Sequence, residues 1–88
     1  MNLELTASFK KSYQKRIADR PVLVGKTLER IELFRQDRSH PLLKDHALSG
    51  SMRIYRSFSI TGDIRIVYQQ VSEDHFRLID IGSHNQVY

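Results

Sequence analysis

Two hydrophobic periods divide this chain at Gly50, and no simple helix bundle or simple β-sandwich satisfies both. Before Gly50, Phe9, Tyr13 and Ile17 recur every four residues, and Val24, Leu28, Ile31 and Phe34 recur every three or four. Such spacing puts the apolar side chains on one helical stripe. After Leu48-Ser49-Gly50-Ser51 the period becomes two. Met52, Ile54, Phe58 and Ile60 fall on one face, with Arg56 among them, and Arg53, Tyr55, Ser57 and Ser59 fall on the other. A chain of 88 residues has room for one core, so helices and strands must share it in a single domain over residues 1–88.

The breaks set the order of elements. Leu3 and Leu5 alternate with polar neighbours and suggest a short first strand. Thr6 or Ser8 is placed to cap the first helix. Asp19-Arg20-Pro21 ends that helix, and Pro21 suits the first turn of the second. Arg38-Ser39-His40-Pro41 closes the second helix, and His40 reads as structural. Thr61-Gly62-Asp63 and Ser72-Glu73-Asp74 are turns flanking a β-branched run from Ile64 to Val71. A last strand runs from Phe76 to Ile81 and stops at Gly82, with His75 exposed beside the turn. The expected architecture is α+β, in the order β-α-α-β-β-β: a helical hairpin on one face of a small, mainly antiparallel sheet.

Charge narrows the function classes. Residues 1–44 carry ten Lys/Arg and five Asp/Glu, whereas residues 45–88 carry four and five. A basic half suits an acidic partner such as nucleic acid, and solvation of helix faces is the plainer alternative. Cysteine is absent, which removes disulfides and thiolate nucleophiles. No apolar run approaches the roughly 18 residues of a membrane span. Residues 1–5 lack the basic-then-apolar pattern of a secretory signal. A soluble, cytoplasmic protein is expected. His40, His46, His75 and His84 lack metal-ligand spacing, so neither a metal nor another cofactor is expected.

The tail carries the sharpest chemical signal. His84 and Tyr88 stand four apart, so a single helical turn puts them side by side. Histidine exchanges protons near neutral pH, and a tyrosine hydroxyl donates a hydrogen bond or a proton.

Taken with Lys44-Asp45-His46, Leu48-Ser49-Gly50-Ser51, Tyr55-Arg56, Gly62-Asp63 and Arg65-Ile66-Val67-Tyr68, this tail resembles the RelE/ParE toxin superfamily over essentially the whole chain. The chain is most similar to the YafQ-like mRNA interferases of type II toxin–antitoxin systems. The resemblance implies a RelE-like fold and an endoribonuclease that cuts mRNA, usually in the ribosomal decoding site, and is held inactive by a cognate antitoxin in a hetero-oligomer. His46, Asp63, His84 and Tyr88 match the family's catalytic positions. On that basis His84 is the expected general acid, assisted by Tyr88. His46 is the expected base or phosphate partner, and Asp63 orients a histidine or serves as base. Lys44, Arg56 and Arg65 are expected to hold phosphates. Two positions depart from the YafQ-like pattern: Ser59 replaces a histidine, and Ile64 replaces an aromatic. They leave the division of labour open. Bland alternatives also stand: His46 as a loop cap, Asp63 as a turn residue, and Arg56 and Arg65 as ion-pair partners of Asp80 or Glu73. ParE-like relatives, which bind DNA gyrase and cut no RNA, form the alternative function class, and a plain RNA-binding module is a third.

Overall fold

The computed structural model describes residues 1–88. Strand β1 (Asn2–Leu5) leads into helix α1 (Ala7–Arg16) and helix α2 (Pro21–Gln36). Strands β2 (His46–Ala47), β3 (Arg56–Ser59), β4 (Ile64–Gln70) and β5 (His75–Ser83) follow, and helix α3 (His84–Val87) closes the chain. The sheet order is β1-β5-β4-β3-β2, with β1 parallel to β5 and every other pair antiparallel. This is the α+β arrangement that the two hydrophobic periods require.

Local chemistry explains the helix boundaries. Thr6 caps α1, its Oγ1 accepting from the Phe9 amide at 3.1 Å, and it also donates to the Leu78 carbonyl at 2.8 Å. The same cap therefore ties α1 to β5. Pro21 opens α2 at a position where no amide donor is needed. Phe34 is the centre of the core, stacked on Phe58 at 4.5 Å and meeting Tyr68 and Phe76 edge-on at 4.9 and 5.6 Å. Truncating such a ring costs about 3–5 kcal/mol.

A bulge sets which face β5 presents. Val67 pairs with Asp80, but Tyr68 pairs with Leu78, so Ile79 has no opposite number. The extra residue inverts the alternation. Phe76, Leu78 and Ile81 consequently all reach the core despite their odd spacing. Gly82 is left on the other face, paired with Arg65.

The structure corrects several sequence expectations. Residues 52–55 are not strand: Gly50–Met52 form a 3-10 turn, Gly50 takes φ +65°, and the Tyr55 amide donates to the Met52 carbonyl at 2.9 Å. Their alternation is not a buried face, for Ile54 is 59% exposed. Strand β2 was not anticipated, because two residues leave no period to detect. On α2, Leu28 is 60% exposed and Thr27 is buried in its place, completing the stripe Val24, Thr27, Ile31, Phe34. Strand β5 runs through Gly82 to Ser83 instead of stopping. His75 is half-buried, not free, with Nε2 3.1 Å from the Glu4 carboxylate. Arg56 and Arg65 pair with neither Asp80 nor Glu73; Asp80 is held by Arg16 at 3.2 Å.

Candidate active site

Helix α3 folds back against the sheet because Gly82 lets it. A Cβ at Gly82 would lie 2.7 Å from Gln86 Oε1 and 2.8 Å from Arg16 Nη1. Gln86 Oε1 in turn accepts from the Ser83 amide at 2.7 Å, closing the first turn of α3. His84 and Tyr88 consequently stand together, their rings edge-to-face with centroids 4.5 Å apart.

The sheet presents a matching surface. Ser57, Arg65 and His46 share one face, since His46 pairs with Ser57 on β3 and Arg65 pairs with Ser59 two residues further on. Tyr88 Oη makes a short hydrogen bond with Ser57 Oγ and accepts from Arg65 Nε at 3.0 Å. Arg65 Nη2 donates to the Lys44 carbonyl at 3.2 Å. His46 Nδ1 lies 3.0 Å from that same carbonyl and 3.3 Å from Arg65 Nη2. Arg65 has only protons to offer, and the carbonyl is the nearer and better acceptor. We therefore assign the proton to His46 Nδ1, which leaves Nε2 with its lone pair. His46, His84 and Tyr88 line a groove of about 330 Å³, walled on one side by Leu48 and Met52.

Lys44 has the sole left-handed non-glycine backbone in the chain, φ +48°. Asp45 holds this turn in place. Its carboxylate accepts from Tyr68 Oη at 2.5 Å and from Arg56 Nε at 3.0 Å, with Arg38 Nε 3.5 Å away. The Asp45 side chain is 9% exposed. Burial, with the hydrogen bond to Asp45 and its negative charge, pushes the Tyr68 hydroxyl well above the ordinary tyrosine range. Burial alone disfavours the Arg56 charge, but its bonds and proximity to Asp45 and Tyr68 outweigh that and leave its affinity for the proton above normal.

The predicted residues thus divide. His46, His84 and Tyr88 line one groove, and Arg65 lies beside it, hydrogen-bonded to Tyr88. Lys44 contributes its carbonyl there, and its ammonium makes no bond within the chain. Arg56 lies on the opposite face with Asp45. Asp63 sits exposed in the β3–β4 turn; its amide donates to Thr61 Oγ1 at 3.2 Å, and its carboxylate makes no hydrogen bond. Sequence reasoning assigned no role to Ser57, Tyr68 or Arg38. The Lys-Asp-His string pointed to Asp45, but its partners lie 11 and 23 residues away in sequence.

The full chain, residues 1–88, matches the family described as the bacterial toxin of type II toxin–antitoxin systems, YafQ. The chain belongs to the YafQ toxin family. Solved structures agree with this. A YoeB/ParE toxin from Agrobacterium tumefaciens is 27% identical, with TM-score 0.78 over 96% of this chain and 99% of that one. A copper-bound mutant toxin from Helicobacter pylori is 27% identical, with TM-score 0.74 over 100% and 99%. YafQ in the E. coli DinJ–YafQ toxin–antitoxin complex shares the fold at 24% identity, with TM-score 0.69 over 99% and 96%. No curated protein sequence matches the chain. In this YafQ-family chain, Ser59 donates to the Thr61 carbonyl at 2.6 Å, so the side chain at this position supports the turn. No three His, Asp or Glu side chains gather closely enough to hold a metal ion. No helix is long and apolar enough to cross a membrane.

Proposed function

We propose that this YafQ-family chain is an endoribonuclease that cleaves mRNA on the ribosome. Two histidines and a tyrosine lining one groove, with Arg65 hydrogen-bonded to that tyrosine, carry the reading. RNA supplies its own nucleophile, the 2′-hydroxyl. His46 Nε2 takes the proton of that hydroxyl as its oxygen attacks phosphorus. The P–O5′ bond breaks, and His84 gives its proton to O5′, leaving a 2′,3′-cyclic phosphate and a 5′-hydroxyl. Arg65, fixed by Ser57, Tyr88 and the Lys44 carbonyl, is positioned to stabilise the charge that builds on the phosphorane. Tyr88 supports His84 by ring contact and can relay a proton through its hydroxyl. Asp63 precedes Ile64, whose strand partner Ser83 adjoins His84, and is assigned to orient His84 once RNA is bound. The step needs no metal.

The E. coli relative assembles with DinJ as a toxin–antitoxin complex, which supports a cognate antitoxin for this chain too. An acidic antitoxin segment complements the basic first half.

The test is induced expression of this chain and of His84→Ala, following protein synthesis and transcript 5′ ends together. Arrested synthesis with new cuts inside translated messages, lost in the variant, supports the nuclease. Equal toxicity without cuts overturns it and makes DNA gyrase the next target to assay.

A further inference from the structure

A second groove, of about 670 Å³, is larger than the one that holds His84. It lies on the far side of the Lys44–Asp45–His46 turn, walled by the polar side chains Arg38, His40, Lys44, Asp45 and Arg56. Alternation along β3 puts Arg56 on the opposite sheet face from Ser57, so the two grooves flank the β2 edge.

We propose that Arg38 and Arg56 form a second phosphodiester site there, in addition to the cleavage groove; the choice of RNA as ligand rests on the nuclease reading. Both carboxylates in the groove already have partners. Asp45 is enclosed by Tyr68, Arg56 and Arg38, and Asp37 accepts from the amide and hydroxyl of Ser39 at 3.1 and 2.7 Å. The cations are held but not exhausted. Arg38 lies 5.2 Å over the Phe76 ring and donates Nη1 to Gln70 at 3.0 Å. Arg56 is gripped through Nε. Nη2 of Arg38 and the Lys44 ammonium have no partner in the chain, and Arg56 bonds only Asp45 and Tyr68, which leaves it an outer nitrogen open. A guanidinium anchored by Nε with its outer nitrogens open is pre-organised for a phosphate, whose oxygens it meets in forked geometry. His40 adds a free Nε2, its Nδ1 being taken by the Leu42 amide at 3.1 Å.

The grooves are close enough for one strand. Lys44 lines one and His46 the other, so two residues of chain, at most about 7 Å at full extension, separate their edges. RNA crossing the β2 edge thus places one phosphate at Arg65 and a flanking one at Arg38 and Arg56.

The experiment follows arginine Nε–H resonances while the full chain is titrated with 2′-O-methyl oligonucleotides, which lack the attacking hydroxyl. A dinucleotide is expected to shift Arg65 alone. A hexanucleotide is expected to shift Arg65, Arg38 and Arg56 with a common midpoint and to bind about tenfold tighter, the effect of one charge-assisted contact. Arg38→Gln removes most of that gain and lowers the salt dependence of binding by about 0.7, one single-strand phosphate. Shifts at Arg38 and Arg56 with a separate midpoint also support the site and assign it to a second strand. Arg65 responding at both lengths while Arg38 and Arg56 stay silent overturns the site and spares the nuclease reading. Silence at all three overturns the site and leaves the nuclease reading to the expression test.

Discussion

Asp45 and His84 mark two polar regions built from equally short motifs, with opposite hydrogen-bond accounts. Around Asp45 the acceptors are closed: both carboxylate oxygens accept, the Tyr68 hydroxyl donates inward, and little of the Asp45 side chain meets solvent. Around His84 the capacity is left open. The His84 ring makes no hydrogen bond within the chain and touches Tyr88 only by ring contact, and His46 keeps Nε2 free. Closed polar networks fix geometry, and open ones are available for chemistry. The two are adjacent along the chain, since the turn that Asp45 fixes delivers His46 and the Lys44 carbonyl to the open groove. One region is built to hold, the other to react.

The largest expected effect should separate them most cleanly. His84→Ala should lower cleavage by about 100- to 10,000-fold while leaving the melting temperature within about 2 °C, as exposed positions do. A large loss of stability in this variant would erase the contrast. Asp45→Ala should do the reverse first. It leaves Tyr68 and two arginines without their common acceptor, at a cost of about 3 kcal/mol, and should lower the melting temperature by about 10 °C or more. An unchanged melting curve with lost cleavage would place Asp45 on the reactive side instead.

Tyr68→Phe should cost about 1–2 kcal/mol, and its pH signature is specific. The Tyr68 hydroxyl titrates higher folded than unfolded. Its contribution is therefore complete below the unfolded tyrosine value near 10 and fades as pH rises above it. Thermal melts between neutral and strongly alkaline pH should show the parent losing stability above that value, and the phenylalanine variant losing less. Tyr88→Phe is the gentlest test. It removes the Arg65 and Ser57 contacts but keeps the ring beside His84, and should slow cleavage by about tenfold with no change in melting. A loss as large as that of His84→Ala would make the Tyr88 hydroxyl the principal acid.

The sequence revealed whatever was periodic or local. The stripe of α1, that of α2 apart from Leu28, the Thr6 cap, Pro21, the β-branched strand β4 and the four-residue step from His84 to Tyr88 were visible in it. The alternation at residues 52–55 misled, because Met52 and Tyr55 are half-buried while Arg53 and Ile54 between them are exposed, the three-residue period of a 3-10 turn and not the two-residue period of a strand. The bulge at Ile79 was hidden, since an inserted residue looks like ordinary sequence. Within the candidate site, His46, Arg65, His84 and Tyr88 could be named, but not the face each would share. Lys44 and Arg56 looked like further phosphate holders beside Arg65, and only the register of β3 sends Arg56 to the other groove. The Asp45 network was illegible because it joins four separated parts of the chain.

The parallel pairing of β1 with β5 has a consequence for synthesis. Asn2 lies beside His75 and Leu5 beside Leu78, so the first strand made waits for the last. Strand β5 is interior, between β1 and β4, and leads directly into His84. A nascent chain that has not yet reached β5 has neither a closed sheet nor the tail side of the groove. Such long-range pairing slows folding and postpones it until β5 has been made. For a member of a toxin family, the groove is thereby tied to β5: a product interrupted before that strand presents no His84–Tyr88 pair.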